Sequence, residues 1–331
     1  MTLGADNTLD LLVVGAGPTG IAIGAEARKA GLDVLLVDRG AITANLLDFP
    51  THMVFFTTRD LLEIADIPLA LPREKPTRRE ALAYYRAVAA HYRLPLALHE
   101  EVLEARREGD GFVVETRWGG APRTRRTAAV AVATGYFHNP VRLGVRGEDE
   151  AWVHQRYREP DPHFGERVVI IGGGNSACEA ALELWRAGAR VTLVHRGEGL
   201  KPTVKYWVKP DIENRIAEDA IAARFSSRVL RFEDRGVVIA GARGEERLPA
   251  DAAYVQIGYL PDVGLLERCG VDVDPETLTP HHDPASCESN VPHLYVAGTL
   301  QAGRDTGKIF IENSRDHGAR IVRHFLSSRS C

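Results

Sequence analysis

Two hexapeptides of this chain have the residue types and spacing to hold a diphosphate: Gly15-Ala16-Gly17-Pro18-Thr19-Gly20 and Gly172-Gly173-Gly174-Asn175-Ser176-Ala177. In a turn that joins a strand to a helix, free backbone N–H groups and the positive end of the helix dipole face an incoming anion. The first glycine makes the tight turn, the second leaves the phosphates room to approach the backbone, and the third lets helix and strand pack closely. Gly15, Gly17 and Gly20 fill these places in the first copy, with Pro18 and Thr19 between them. Gly172, Gly174 and Ala177 fill them in the second, with Asn175 and Ser176 between, and alanine is a permitted third residue.

The copies differ at the tip of the strand that follows. Asp38 stands 23 residues after Gly15, where a carboxylate accepts hydrogen bonds from an adenosine ribose. The residue 23 after Gly172 is His195, followed by Arg196. A carboxylate there would repel a 2′-phosphate, whereas histidine and arginine can pair with it. The second copy is therefore expected to take NADPH and the first FAD, a hydride passing from one to the other. Arg39 occupies the place in the first copy that Arg196 has in the second, so the missing acid carries the inference. Lys201 and Lys205 either add positive charge or face solvent.

The other polar candidates have plainer readings beside the chemical ones. His52, in Pro50-Thr51-His52 near Phe55 and Phe56, is either a flavin contact or a structural hydrogen-bonder. Cys178, on the helix after the second turn, is expected to be a packed thiol. Cys178, Cys269, Cys287 and Cys331 form no C-x-x-C pair and no metal-ligand spacing, so they read as reduced thiols, with neither a metal nor a redox role expected. No catalytic acid or base can be nominated.

The elements that position these residues repeat. Leu9 to Val14 and Leu32 to Val37 read as strands around a helix that closes at Gly31; Val168 to Ile171 and Ala189 to Val194 read as strands around a helix that closes at Gly188. Thr77 to His91 reads as a helix, Leu103 to Arg107 with Gly111 to Trp118 as a hairpin, and Ala129 to Ala133 and Ala253 to Ile257 as buried strands. The stretch from Phe137 to Gly165 reads as a linker, and a terminal helix is expected to begin near Gly307, its dipole facing a reduced flavin. This alternation predicts an α/β chain of two Rossmann-like, three-layer ββα domains. Residues 1–140 and 259–331 form a discontinuous FAD-binding domain, and 141–258 an inserted NADPH-binding one.

Composition sets the outer bounds. The chain has 331 residues, 44% hydrophobic and 26% charged, enough for two globular domains. Its formal net charge of −4, without long blocks of one sign, gives no reason to expect nucleic acid or anionic lipid as a partner. The arginines Arg123, Arg125 and Arg126 read as a solvated strand end or turn. Neither a signal peptide nor a membrane span is read, and the expected location is the cytoplasm.

The two glycine turns, Ala133-Thr134-Gly135, Ile257-Gly258 with Pro261, and Val296-Ala297-Gly298 resemble the low-molecular-weight thioredoxin reductase superfamily over nearly the whole chain. The resemblance implies homodimers with FAD in a discontinuous domain and NADPH in an inserted one, but the internal C-x-x-C of true thioredoxin reductases is missing. Finer features resemble the bacillithiol-disulfide (bacilliredoxin, YpdA-like) reductases: Phe49-Pro50-Thr51-His52, Lys205-Tyr206-Trp207 with Pro210, and Ile309-Phe310-Ile311-Glu312-Asn313. That family implies reduction of bacillithiol disulfide or of a bacilliredoxin mixed disulfide. It also implies cofactor contacts from Thr51, His52, Thr134, Gly135, Gly298, Lys308, Ile309 and Lys205. Thr19 stands where many members have a cysteine, so reduced flavin directly, or a different thiol, must meet the disulfide, or the substrate is a different one. The alternative is a thioredoxin-reductase-like ferredoxin or flavodoxin reductase, whose usual C-terminal extension has no counterpart here.

Overall fold

The computed structural model describes residues 8–242 and 244–329, and Cys331 lies outside the described residues. The chain divides into two compact units. The first takes the chain up to Asp48, Met53–Asn139 and the chain from Leu260 onward; the second takes Phe49–His52 and Pro140–Tyr259.

In the first unit, five parallel strands stand in the order Leu96–Leu98, Val34–Asp38, Leu9–Val14, Ala121–Val132, Leu294–Val296. The runs Leu11–Val14 and Val34–Val37 are buried throughout, as strands covered on both faces must be. The helix Pro18–Lys29 begins with proline, which has no N–H to leave unsatisfied, and ends with Arg28 and Lys29 on its negative pole. Thr77 and Glu80 form a capping box at the start of the helix Arg78–His91: Thr77 N–H donates to Glu80 Oε2 at 2.8 Å, and Glu80 N–H to Thr77 Oγ1 at 3.3 Å. The last helix, His317–Arg329, buries Ile321, Val322 and Phe325 and lies against Pro18–Lys29. Gly318 permits that approach, because a Cβ there would stand 2.9 Å from the Ala22 backbone.

The strand Ala121–Val132 joins the parallel and antiparallel parts of one seven-stranded sheet. Its inner half pairs with Leu9–Val14 and Leu294–Val296, and its outer half pairs antiparallel with Gly111–Trp118, which pairs in turn with Glu100–Glu108. The expected hairpin is thus a three-stranded meander. Its face packs Val102, Ala105, Phe112 and Val114 with Val130, Leu266 and Val296 in one cluster. Each such large side chain contributes about 1.5–3 kcal/mol by leaving water.

The second unit repeats the parallel sheet in the order Ala222–Arg224, Arg190–Val194, Arg167–Ile171, Ala252–Val255, Val153–His154. The helix Asn175–Arg186 covers one face through Cys178, Ala181 and Leu182. An antiparallel sheet of Arg228–Glu233, Gly236–Gly241 and Gly244–Pro249 covers the other through Phe232, Val237 and Ile239.

Several expectations need correction. The terminal helix begins at His317, ten residues beyond Gly307, because local bonds turn the chain before it: Phe310 N–H donates to Asn313 Oδ1 at 2.7 Å and Ser314 Oγ to the Phe310 carbonyl at 2.6 Å. The stretch expected as a linker contributes Val153–His154 as an edge strand and a 3-10 turn, Asp161–His163. Two of the three arginines expected in solvent serve a buried acid. Arg125 holds both oxygens of Glu100 at 2.9 and 2.8 Å, and Arg123 reaches it at 3.5 Å. Burial would push the Glu100 carboxyl up, but these arginines and Thr116 hold it below the usual range.

Candidate functional site

Both glycine turns open at the carboxyl ends of parallel strands, the edge at which ligands bind such sheets. Gly15 has φ +110°, and a Cβ on it would stand 2.6 Å from the Ala133 carbonyl oxygen. A Cβ on Gly20 would stand 1.9 Å from the Gly15 carbonyl oxygen, whereas one on Gly17 would meet nothing within 4 Å. Helix and strand are thus closed on each other at Gly20, and the turn is open at Gly17, as a diphosphate cradle requires.

Asp38 braces the first turn. Its Oδ2 accepts from Ala16 N–H at 2.7 Å and its Oδ1 from Gly40 N–H at 2.8 Å, so the carboxylate pins the turn while keeping lone pairs free to accept further bonds. Arg39 is exposed. At the same sheet edge, Asn45 Nδ2 donates to the Thr134 carbonyl at 3.2 Å and faces Gly135. Gly298 N–H donates to His317 Nδ1 at 3.1 Å, and Thr19 Oγ1 lies 3.5 Å from Ser314 Oγ. Burial lowers the His317 pKa to about 4, so the imidazole is neutral and accepts through Nδ1. Asn45, Ser314 and His317 carry no sequence signal of their own, because only tertiary structure brings them to the strand ends. Lys308 is exposed and Ile309 half-buried; the Lys308 carbonyl accepts from Asn313 Nδ2 at 2.9 Å.

The second cradle shares the plan and differs in its lining. Gly172 adopts φ +145° against the Gln256 carbonyl, and a Cβ on Gly174 would approach only Lys201, at 3.7 Å. The ring of His195 lies between two glycines: a Cβ on Gly173 would stand 2.5 Å from it, and one on Gly197 2.9 Å. Burial, then Lys201 and Arg196, lower the His195 pKa. Arg196 and Ser176 are exposed. Asn175 braces the following loop, its Oδ1 accepting from Lys205 N–H at 2.8 Å and its Nδ2 donating to the Thr203 carbonyl at 3.2 Å. Lys205 Nζ stands 2.6 Å from Glu179, so its charge is compensated locally rather than added to the cradle.

Thr51 and His52 belong to the second unit, with Thr51 N–H donating to the Arg158 carbonyl at 2.7 Å and His52 Nε2 lying 4.0 Å from Asp161. Cys178, Cys269 and Cys287 are unpaired thiols at 0%, 7% and 0% exposure. Burial pushes Cys178 up to about 12 and Cys287 up to about 11, and raises Cys269 as well, which suppresses the thiolate each would need as a nucleophile.

Comparison with known proteins agrees with this geometry. The family described as pyridine nucleotide-disulphide oxidoreductase matches residues 12–298. The chain is 34% identical over 313 residues to the bacilliredoxin reductase Bdr of Bacillus subtilis, covering 94% of this chain and 95% of that protein. The solved structure of the bacillithiol disulfide reductase Bdr (YpdA) from Bacillus cereus superposes with a TM-score of 0.94 at 33% identity, over 97% of this chain and 100% of that one. A ferredoxin–NADP reductase of Ignicoccus hospitalis is 25% identical over 302 residues, covering 88% of this chain and 90% of that protein.

Proposed function

The chain belongs to the pyridine nucleotide-disulphide oxidoreductase family and is a flavin-dependent disulfide reductase, and on that premise we propose that it passes electrons from NADPH through FAD to bacillithiol disulfide or to the mixed disulfide of a bacilliredoxin-like protein. The first unit is the FAD-binding domain and the second the NADPH-binding domain. One observation carries this assignment: Asp38 stands at the ribose-facing tip of the first cradle, and His195 with Arg196 and Lys201 at that of the second.

FAD, when bound, supplies the two-electron store between a hydride donor and a disulfide. In the first unit the N–H groups of Gly17, Thr19 and Gly20 would hold the diphosphate, and Asp38, whose carboxylate braces the turn, the ribose. Thr134, Gly135, Gly298, Lys308 and Ile309 stand toward the remainder of the same cofactor. In the second, Gly172, Gly174, Asn175, Ser176 and Ala177 cradle the diphosphate, while His195 and Arg196 orient the 2′-phosphate. Breaking the disulfide consumes two electrons and two protons and releases two thiols. Burial of Cys178, Cys269 and Cys287, with Thr19 in the first turn, supports a route in which none of these groups attacks the substrate sulfur. The enzyme acts as a cytoplasmic homodimer. Its charge gives no attraction to nucleic acid or lipid, and no helix among the described residues is long and apolar enough to cross a membrane.

The test is anaerobic NADPH consumption by the purified holoenzyme with bacillithiol disulfide in one arm and a flavodoxin or ferredoxin in the other. Turnover with the disulfide and none with the protein carriers is expected. The reverse would move the chain to the ferredoxin–NADP reductase reading that the Ignicoccus hospitalis relative suggests.

A further inference from the structure

Among the described residues no acid pairs with the His195 ring. It lies between Gly173 and Gly197, where any side chain would displace it, and its backbone is tied down on both sides: His195 N–H donates to the Arg224 carbonyl at 2.9 Å and its carbonyl accepts from Ser227 N–H at 3.0 Å. The groups that face it are cationic or already paired. Arg196 adjoins it and Lys201 comes from the loop that closes over the glycine turn, with Lys201 N–H donating to the Gly173 carbonyl at 2.9 Å. Arg224, on the strand packed beside it, has its guanidinium engaged by Glu246 at 2.9 Å. Glu179 is 2.6 Å from Lys205. The only other acid of the 196–201 loop, Glu198, is exposed. In the free protein partial burial, then the two cations, hold the ring's pKa below its ordinary value, disfavouring a third positive charge there.

A ligand that brings a dianion to this cluster reverses that balance. From the charge cluster and the pinned ring, resting on the NADPH reading above, we propose that His195 takes up a proton from solvent when a 2′-phosphate enters the second cradle. The neutral imidazole then becomes a second charge-assisted donor beside Arg196. No bond to phosphorus forms or breaks; one proton moves from water to the ring, and it leaves again with the ligand. Selection for the phosphorylated nucleotide therefore strengthens as pH falls, by at most about tenfold per pH unit for one linked proton. A nucleotide without the 2′-phosphate gains nothing from the same change, so the linkage acts on discrimination rather than on dinucleotide affinity in general.

The experiment is calorimetric binding of 2′,5′-ADP and of 5′-AMP to the full-length wild-type protein. It uses two buffers of different ionisation enthalpy between about pH 7 and pH 8, where a phosphate with a second pKa near about 6 is already mostly dianionic. Proton uptake with 2′,5′-ADP, none with 5′-AMP, and loss of the uptake in His195→Gln are expected. Tight, selective binding of 2′,5′-ADP without proton uptake overturns the proposal and leaves the NADPH reading standing. Equal affinity for the two nucleotides overturns that reading and the proposal with it. The wild-type arms decide the matter even if His195→Gln fails to fold, and the His195 ring signals in an NMR pH titration with and without 2′,5′-ADP supply an independent readout.

Discussion

The two cradles are built on one plan and tolerate different residues, for reasons that lie in their surroundings. In the first, the third glycine abuts backbone, with a Cβ on Gly20 falling 1.9 Å from the Gly15 carbonyl oxygen. In the second, that place belongs to Ala177, whose methyl is accommodated at 0% exposure, and the close approach has moved to Gly173 beneath a histidine ring. Both turns are therefore constrained by main chain at their first glycine, where a Cβ on Gly172 would stand 2.3 Å from the Gln256 carbonyl oxygen, and the second adds a side-chain constraint at Gly173. The tips differ in sign as well: an acid that braces its own turn against a neutral imidazole flanked by cations. On the proposed reading, the shared fold positions both diphosphates, while a few residues around each turn select between dinucleotides.

Substitution at the first turn should break this symmetry most severely. Gly20→Ala forces the turn off its position, and losing even one N–H bond to a phosphate, about 1.5–3 kcal/mol, lowers FAD affinity at least about tenfold; the protein should purify nearly colourless by its ratio of 450 to 280 nm absorbance. Gly173→Ala should stay yellow and lose affinity for NADPH alone, and a colourless Gly173→Ala would show that the units do not divide the cofactors. Next in size, Arg196→Ala should raise the KM for NADPH roughly ten- to a hundredfold and leave that for NADH nearly unchanged, since hydrogen bonds to charged groups are worth about 1.5–3 kcal/mol. An equal rise for both nucleotides would remove the 2′-phosphate from the account.

The paired histidines sharpen the comparison further. His317, which braces Gly298 in the first unit, has a folded pKa of about 4 and is neutral in the native state. Its folded pKa lies below the ordinary value of about 6.5, so the stability it contributes is fully present above about pH 6.5 and lost as pH falls toward about 4, up to roughly 3 kcal/mol. Urea midpoints at intervals across that range should fall for the wild type and fall less for His317→Asn. The smallest effect belongs to Cys178, whose counterpart in the first copy is the equally buried Ile21. Cys178→Ala should leave turnover within about twofold and cost about 1 kcal/mol of stability; a large drop in turnover with unchanged stability would give that thiol a chemical role.

Much of this was legible in the sequence because it is local. The strands at Leu9 and Val168, the turns after them and the helix Arg78–His91 are specified by runs, glycines and a capping box that lie within a dozen residues. Asp38 and His195 were legible for the same reason, each standing at a set distance from its turn. What escaped depends on partners remote in the chain. Asn45 acts on Thr134 and His317 on Gly298, and Glu100 collects Arg123 and Arg125 from another strand. The segment Phe49–His52 joins the second unit through a bond to Arg158 that no periodicity announces. The misplaced start of the terminal helix has the opposite cause: Asn313 and Ser314 offer the backbone local bonds that compete with a helix.

The strand Ala121–Val132 places one further demand on the chain. Thr127 is paired with Leu9 on one side and Phe112 on the other, so the meander and the cradle sheet share a single alignment. Were the outer half to shift by one residue, every side chain along it would exchange faces, turning Arg125 away from Glu100 and carrying the Ala133–Gly135 corner out of step with Gly15. The antiparallel meander thereby sets the register of the strand that leads into the Ala133–Gly135 corner beside the first glycine turn.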